Sequence, residues 1–452
     1  MLSLSRFLLA LILDVLFNDP RTANSLNVSA MLELEEDFDY LLADSGMQYT
    51  LEELTQHRED FLAAHRAATK EVDGKPIVAS GPSGGLTRLF WKSRPMLIKS
   101  LADALNRDQK SWVASFEQER FKGASVSDVE TLCGTILNGP SKLPKKSPSY
   151  PSALNDLPDS FDAREHFKNC SHVIGHVRDQ STCGSCWAFA TSEAFSDRLC
   201  IRSGGQYDMV PLSAGHTAAC CSEAEGCFSF GCDGGQPDSA WRWFSEHGVV
   251  SGGDYQPDMQ TFAPKLEPGC WPYDFPECAH HVDVKGMQPC KGNRPSPTCS
   301  TQCRNHQYKP SFDGDRHYTE DEGYSLDQVD EIKKEIIDNG PVSVLRLQAV
   351  TYSPSVAAAF TVYEDFPYYK SGVYKHVRGS ELGGHAVKII GWGVEQNEQY
   401  WLVMNSWNVN WGDKGTFKIA FGECGIDSEV TAGVPRDNKK SSRGGTQPEI
   451  ML

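Results

Sequence analysis

The segment Gln180-Ser-Thr-Cys183-Gly-Ser-Cys186-Trp187 carries the residue types that acyl transfer through sulfur needs. Cys186 opens a run whose pattern predicts a helix from Trp187 to about Arg202. A thiol there feels the positive end of the helix dipole, and a neighbouring imidazolium stabilises the thiolate further. Such pairing brings a cysteine pKa down to about 3–4, so the attacking thiolate is expected before substrate arrives. The base is expected to be a histidine steadied by a third group. His385 fits, standing in Gly383-Gly384-His385-Ala386-Val387 at the head of an apolar run, Ala386–Trp392, that reads as a buried strand. The next such run, Tyr400–Trp407, ends in Asn405-Ser406-Trp407. Two adjacent strands would set His385 beside Asn405, with Asn405 orienting the ring and Trp407 shielding their bond from water. Gln180, six residues before Cys186, can offer its side-chain amide together with the Cys186 backbone N–H as oxyanion donors.

A second reading competes for the same cysteine. Cys183-x-x-Cys186 also has the spacing of a thioredoxin-like redox dithiol. That motif follows a strand in a compact βαβ chain with few other cysteines. Here the flanks are Gln180 and Trp187, and thirteen further cysteines surround the pair, so the nucleophile reading is preferred.

The elements around these residues have a clear order along the 452-residue chain. Arg6 precedes the apolar run Phe7–Phe17, the length of a signal-peptide core. Asp14 interrupts that run and no small-x-small cleavage site follows, so residues 1–24 read as a signal peptide or signal-anchor, the alternative being a misplaced start codon. Residues 30–72 carry two amphipathic helical patterns, and residues 73–85 are a Gly/Pro-rich linker. A further helical pattern runs from about Met96 to Phe121, with Leu97, Leu101, Leu105, Trp112 and Phe116 as its apolar positions. Pro140–Pro158 is exposed and easily cut, and Arg436–Leu452 is a polar tail.

Charge and cysteine usage narrow the class. A net charge of −17 argues against nucleic acid as a partner, because that binding rests on neutralising phosphates. It suits an acidic compartment, where protonation relieves self-repulsion. Fifteen cysteines point to an oxidising compartment, and their odd number leaves at least one thiol free.

Cys-Gly-Ser-Cys-Trp, the Gly-His strand and Asn-Ser-Trp together resemble the papain family of cysteine peptidases over about residues 157–437. Three further segments resemble its cathepsin B branch: Leu157-Pro-Asp-Ser-Phe-Asp-Ala-Arg-Glu as the mature N-terminus, Cys232-Asp-Gly-Gly-Gln-Pro, and Pro276-Glu-Cys278-Ala-His280-His281. The resemblance implies an α+β, two-lobed papain-like fold. Its helical left lobe carries Cys186, its β-barrel-like right lobe carries His385 and Asn405, and a helical prosegment precedes both. It implies Gly234 and Gly235 as the substrate-backbone strand, and an occluding loop over about residues 270–303. His280 and His281 would bind a substrate C-terminal carboxylate, with Asp179 able to hold His280. A zinc site there is disfavoured, because the nearby cysteines are consumed as disulfides; no metal and no cofactor are expected. Glu429 would stand at the base of the S2 pocket, and Trp407 would flank the substrate.

Residues 96–156 resemble the inhibitory propeptide, which lies through the cleft in reverse polarity, whereas residues 25–95 have no counterpart. The implied disulfides are Cys170–Cys200, Cys183–Cys232, Cys220–Cys299, Cys221–Cys227, Cys270–Cys303 and Cys278–Cys290, leaving Cys133, Cys186 and Cys424 free. Expected partners are peptide and protein substrates, the chain's own propeptide and cystatin-type inhibitors, for a monomer of the endolysosomal pathway or the extracellular space. A non-catalytic homologue is the competing class, and the presence of Cys186, His385, Asn405 and Gln180 argues against it.

The chain departs from the branch in two places. Gly286-Met287-Gln288 stands where a loop arginine is usual, and Asn410 stands in place of its aspartate partner, so a looser loop is expected. About fourteen extra residues near 344–357 read as a surface loop or a gene-model error, with the second preferred.

Overall fold

In the computed structural model, the described residues are 92, 94–136, 143–145, 157–207, 211–255, 269–276, 278–279, 288–289, 294–345 and 360–436. The sequence expectations for residues 1–91, the 344–357 insertion from 346 onward, the activation stretch just before Leu157, and the tail lie outside them. Apart from Lys92, the described residues belong to the compact unit Ser93–Leu452.

The helix expected from Met96 to Phe121 ends early. Helix α1 (Lys99–Asp108) buries Leu101, Ala102, Ala104 and Leu105, and then the chain turns out. The cause is local side-chain competition for the backbone. Gln109 Oε1 accepts from the Trp112 N–H at 3.0 Å, and its Nε2 donates to the Trp112 carbonyl at 2.7 Å. Asn106 bridges Ala114 in the same manner. Residues Trp112–Ala114 become strand β1, which pairs antiparallel with Tyr369–Gly372. The short helix α2 (Val126–Glu130) opens on a reciprocal Ser125–Asp128 capping box and aims the following residues, 132–136, toward the peptidase core.

Strand β2 (Phe161–Asp162) leads to the helical lobe. Its main helix, α3 (Cys186–Arg202), is buried at every residue from Cys186 to Cys200 and therefore shows no polar face. Helices α4 (Ala214–Cys220) and α5 (Pro237–Glu246) pack beside it. Trp187, Phe195, Leu199, Trp241, Phe244 and Trp271 form the centre of that core.

The second lobe is an open sheet. After β3 (Tyr324–Leu326), α6 (Val329–Asn339) and β4 (Val342–Leu345) come β5 (Phe360–Tyr363), β6 (Tyr369–Tyr374), β7 (Glu381–His385), β8 (Lys388–Glu395), β9 (Glu398–Met404), β10 (Thr416–Ala420) and β11 (Glu429–Ala432). The order is β1-β6-β10-β9-β8-β4-β11-β3, with β2 added to β8, while β5 and β7 form a separate ribbon. Among the described residues the path does not close on itself, so the sheet is not a sealed barrel. An aromatic cluster of Phe366, Tyr374, Trp407, Trp411 and Phe417 fills one side.

Among the described residues, five disulfides tie the helical lobe and its loops: Cys170–Cys200, Cys183–Cys232, Cys220–Cys299, Cys221–Cys227 and Cys270–Cys303. Among the described residues Cys133, Cys186 and Cys424 form no disulfide, and the expected Cys278–Cys290 pair falls outside the described side chains.

Gly391 marks how tightly β2 is laid on β8. A Cβ there would stand 2.1 Å from the Phe161 carbonyl oxygen. Gly391→Ala is expected to lower stability by about 1–3 kcal/mol, read as a lower urea midpoint.

Candidate active site

Cys186 is the first residue of α3, so the amides of the first turn have no partners within the helix. Ser185 at the N-cap makes no side-chain capping bond, its hydroxyl lying 3.0 Å from the Tyr273 hydroxyl instead. The Ala386 and Trp187 N–H groups favour the Cys186 thiolate. Complete burial is the larger effect and pushes the thiol above its ordinary value.

His385 ends β7, and the next residue, Ala386, packs against Cys186. Its Nε2 lies 2.7 Å from Asn405 Oδ1, which also accepts from the Ser406 N–H at 2.8 Å. That bond selects a ring carrying hydrogen on Nε2. The Trp407 ring lies over the imidazole with centroids 4.7 Å apart, and is itself boxed by Phe121, Phe366 and Trp411. Burial draws the His385 pKa down to about 4, against the Asn405 bond and the Leu132 carbonyl, both of which favour the charged ring.

Burial therefore works against the charged form of both groups. The thiolate expected from the sequence presupposed an open cleft, and here the cleft is filled. Thr135 Oγ1 lies 3.2 Å from Cys186 Sγ. The Thr135 N–H donates to the Gly384 carbonyl at 3.0 Å, the Gly235 N–H to the Gly134 carbonyl at 2.9 Å, and the Ile136 N–H to the Gly235 carbonyl at 3.0 Å. Gly134 is glycine by necessity, since a Cβ would come within 1.8 Å of the Gly184 carbonyl oxygen. Gly234, at φ +116°, adopts a backbone conformation that favours glycine, and its Cβ position faces the Gly134 carbonyl.

Gln180 is committed to the same place. Its Oε1 accepts from Ser406 Oγ at 2.8 Å, while Nε2 donates to the Cys183 carbonyl at 2.8 Å and to the Leu132 carbonyl at 3.0 Å. Cys183 is bonded to Cys232, not to Cys186, which overturns the redox-dithiol reading.

The structure thus gathers Cys186, His385, Asn405, Gln180, Trp407, Gly234 and Gly235 around one cleft. His280 and His281 lie outside the described residues, as does the side chain of Glu429 in β11. Asp179 accepts from the Ser181 N–H at 2.7 Å and from Asn408 Nδ2 at 2.9 Å, and it faces Arg120 at 3.6 Å. Arg120 and Arg94, which meets Glu364 at 2.5 Å, are buried anchors that sequence reasoning missed. Arg120 fell in a stretch read as helix, and no local pattern marks an arginine whose partner is far along the chain.

A buried thiol at a helix start, an imidazole held by Asn405 and a chain segment lying over both are the features to set beside known proteins. The sequence profile of the papain family cysteine proteases matches residues 157–434, and the chain belongs to that family. It is similar to cathepsin B-like cysteine proteinase 5 of Caenorhabditis elegans, 39% identical over 343 residues that cover 75% of this chain and 90% of that protein. Cathepsin B-like cysteine proteinase 4 of the same organism is 42% identical over 346 residues, covering 76% and 93%. Among solved structures, procathepsin B S9 from Trypanosoma congolense is similar at 30% identity and a TM-score of 0.59, over 76% of this chain and 99% of that one. The chain is a cathepsin B-like cysteine peptidase made as a zymogen.

The close approach at Gly134 is directly testable. In the unprocessed chain, Gly134→Ala is expected to speed labelling of Cys186 by an epoxide or vinyl-sulfone probe at neutral pH, read by mass spectrometry against the unsubstituted zymogen.

Proposed function

We propose that Cys186 is the nucleophile, His385 the general base and acid, Asn405 the residue that orients the ring, and Gln180 with the Cys186 N–H the oxyanion donors. The observation that carries this is the Leu132 carbonyl held on Gln180 Nε2 at 3.0 Å, where a substrate carbonyl would sit. Once residues 132–136 leave, water returns, the thiol proton passes to the imidazole, and the ion pair forms. Sulfur attacks the carbonyl carbon, an S–C bond forms, and the oxygen gathers negative charge facing the Gln180 and Cys186 donors. The imidazolium gives its proton to the leaving amine as the C–N bond breaks. Water, deprotonated by His385, then cleaves the thioester. Gly235 gives to substrate the backbone bonds it now makes to the prosegment, with Gly234 beside it leaving room for the substrate backbone.

The prosegment blocks the site, and proton linkage gives the direction of release. Docking holds His385 near 4 through burial, below its ordinary value of 6.5. In a Cys186→Ser protein, where no thiol supplies that proton, a free cleft takes it from solvent, so docking is favoured above the ordinary value and is progressively weakened as pH falls from 6.5 toward 4. Binding of the full prosegment to the processed Cys186→Ser protein is expected to weaken across that window. A dissociation constant independent of pH there would contradict the linkage.

The finer functional reading extends to residues 1–24 as a signal peptide or anchor, residues 25–95 as an extension, 96–156 as the prosegment, 157–437 as the peptidase and 438–452 as a tail. It includes a monomer of the endolysosomal pathway, regulated by cystatin-type inhibitors. His280 and His281 would receive a C-terminal carboxylate for dipeptide release, and Glu429 would accept arginine at P2. The missing loop arginine and its aspartate support a larger endopeptidase share. Cleavage of matched substrates with free and amidated C-termini is expected to proceed at comparable rates, and a strong preference for the free acid would refute the loose loop. Cys186→Ala is expected to abolish all cleavage; residual turnover would refute the mechanism.

A further inference from the structure

If Cys186 and His385 are the reacting pair, something must hold the two elements that carry them at a fixed separation, and the role of Lys388 in doing so rests on that reading. Lys388 in β8 lies three residues beyond His385 and is 1% exposed. Its Nζ lies 2.8 Å from Asp197 Oδ2 and 3.6 Å from Glu193 Oε2, and it donates to the Ile174 carbonyl at 3.3 Å. Glu193 and Asp197 stand on α3, about two and three turns beyond Cys186. Within the sheet, Lys388 pairs with Met404, the residue before Asn405. A single ammonium therefore joins the helix that begins at the nucleophile to the strand pair that leads from His385 and into Asn405.

The surrounding charges leave this contact to Lys388. Arg178 directs its donors to Asp254 and to the Leu212, Gly252 and Gly253 carbonyls, and His176 meets the same Asp254 at 2.7 Å. Arg198 is engaged by Glu335, Tyr324 and the Pro341, Gly340 and Gly433 carbonyls. Among the described residues, Glu193 Oε1 and Asp197 Oδ1 have no hydrogen-bond donor. Two buried carboxylates thus share one cation in direct contact, and burial raises the pKa of both. Apolar side chains could slide across this lobe junction at small cost. A desolvated ammonium cannot, because moving it off its carboxylates strands charge in a dry site.

We infer that Lys388 is a positioning residue of the peptidase reaction: by clamping α3 to β8 it sets the distance at which the Cys186 sulfur meets the His385 ring. It touches no substrate. Its effect runs through geometry, and a displacement of about 1 Å at reacting atoms can cost about 100-fold in rate.

The test compares Lys388→Met, Lys388→Arg and Asp197→Asn, each made as the full chain, processed and active-site titrated. kcat and KM are read with a peptide substrate, and the pH dependence of Cys186 alkylation by iodoacetamide is read without one. Lys388→Met is expected to lower kcat about 10–100-fold with little change in KM. It should also move the acidic limb of the alkylation profile to higher pH, because a poorly placed imidazolium stabilises the thiolate less. Lys388→Arg should recover most of both. An unchanged alkylation profile in Lys388→Met, even with a lower thermal midpoint, would show a role in stability alone and overturn the inference. Should Lys388→Met fail to fold, a wild-type alkylation profile in folded Asp197→Asn would overturn it equally. Cys186→Ser separates the two levels: activity surviving in that variant sinks the nucleophile assignment itself, whatever Lys388 does.

Discussion

Removing a thiolate and an imidazolium from water costs on the order of several kcal/mol per ion unless each is well partnered. With Leu132–Thr135 in the cleft, Cys186 and His385 are where that cost is felt, both fully buried with a threonine hydroxyl on the sulfur and a leucine carbonyl on the Gln180 amide. Burial dominates the local hydrogen bonds for both groups, raising the thiol and lowering the imidazole. The prosegment thus does more than obstruct. On the proposed mechanism it also sets burial against the charged forms of Cys186 and His385, and much of the fold serves to bring that segment to that spot.

The prosegment is held by fixed points. Strand β1 adds itself to the edge of the peptidase sheet, and the Tyr368 hydroxyl bridges the Ile98 N–H and the Met96 carbonyl. Arg94 with Glu364 and Arg120 with Asp179 are buried on both sides, where a charge pair is screened little by water. Exposed pairs such as Arg378 with Asp108 contribute far less. Buried pairs give register; the apolar face of α1 gives adhesion. Asp179, expected from the sequence to hold the loop histidine, also faces a prosegment arginine in the precursor.

Legibility followed the range of the interaction. Cys186 at a helix start, His385 beside glycines and Asn405-Ser-Trp407 could be read because each carries a local signature, and the strands of the second lobe announced themselves as apolar runs. The helical pattern from Met96 to Phe121 misled, because Trp112 and Phe116 fall at helical spacing while Gln109 and Asn106 side chains capture the backbone and turn it into an edge strand. Periodicity cannot see that competition. Nor does it reveal Lys388, which reads as one cation in an apolar strand until α3 brings two carboxylates to it. The thiolate expected for Cys186 does not reckon with Thr135, some fifty residues earlier in the chain, whose hydroxyl lies against the buried sulfur.

The most direct measurement is the imidazole titration of His385, followed by NMR in a Cys186→Ser chain before and after an added peptidase removes the prosegment. The account predicts a midpoint near 4 in the intact chain and a clear rise once the segment is gone. A midpoint that stays the same in both forms would contradict it, because the prosegment would then not be what keeps the ring neutral.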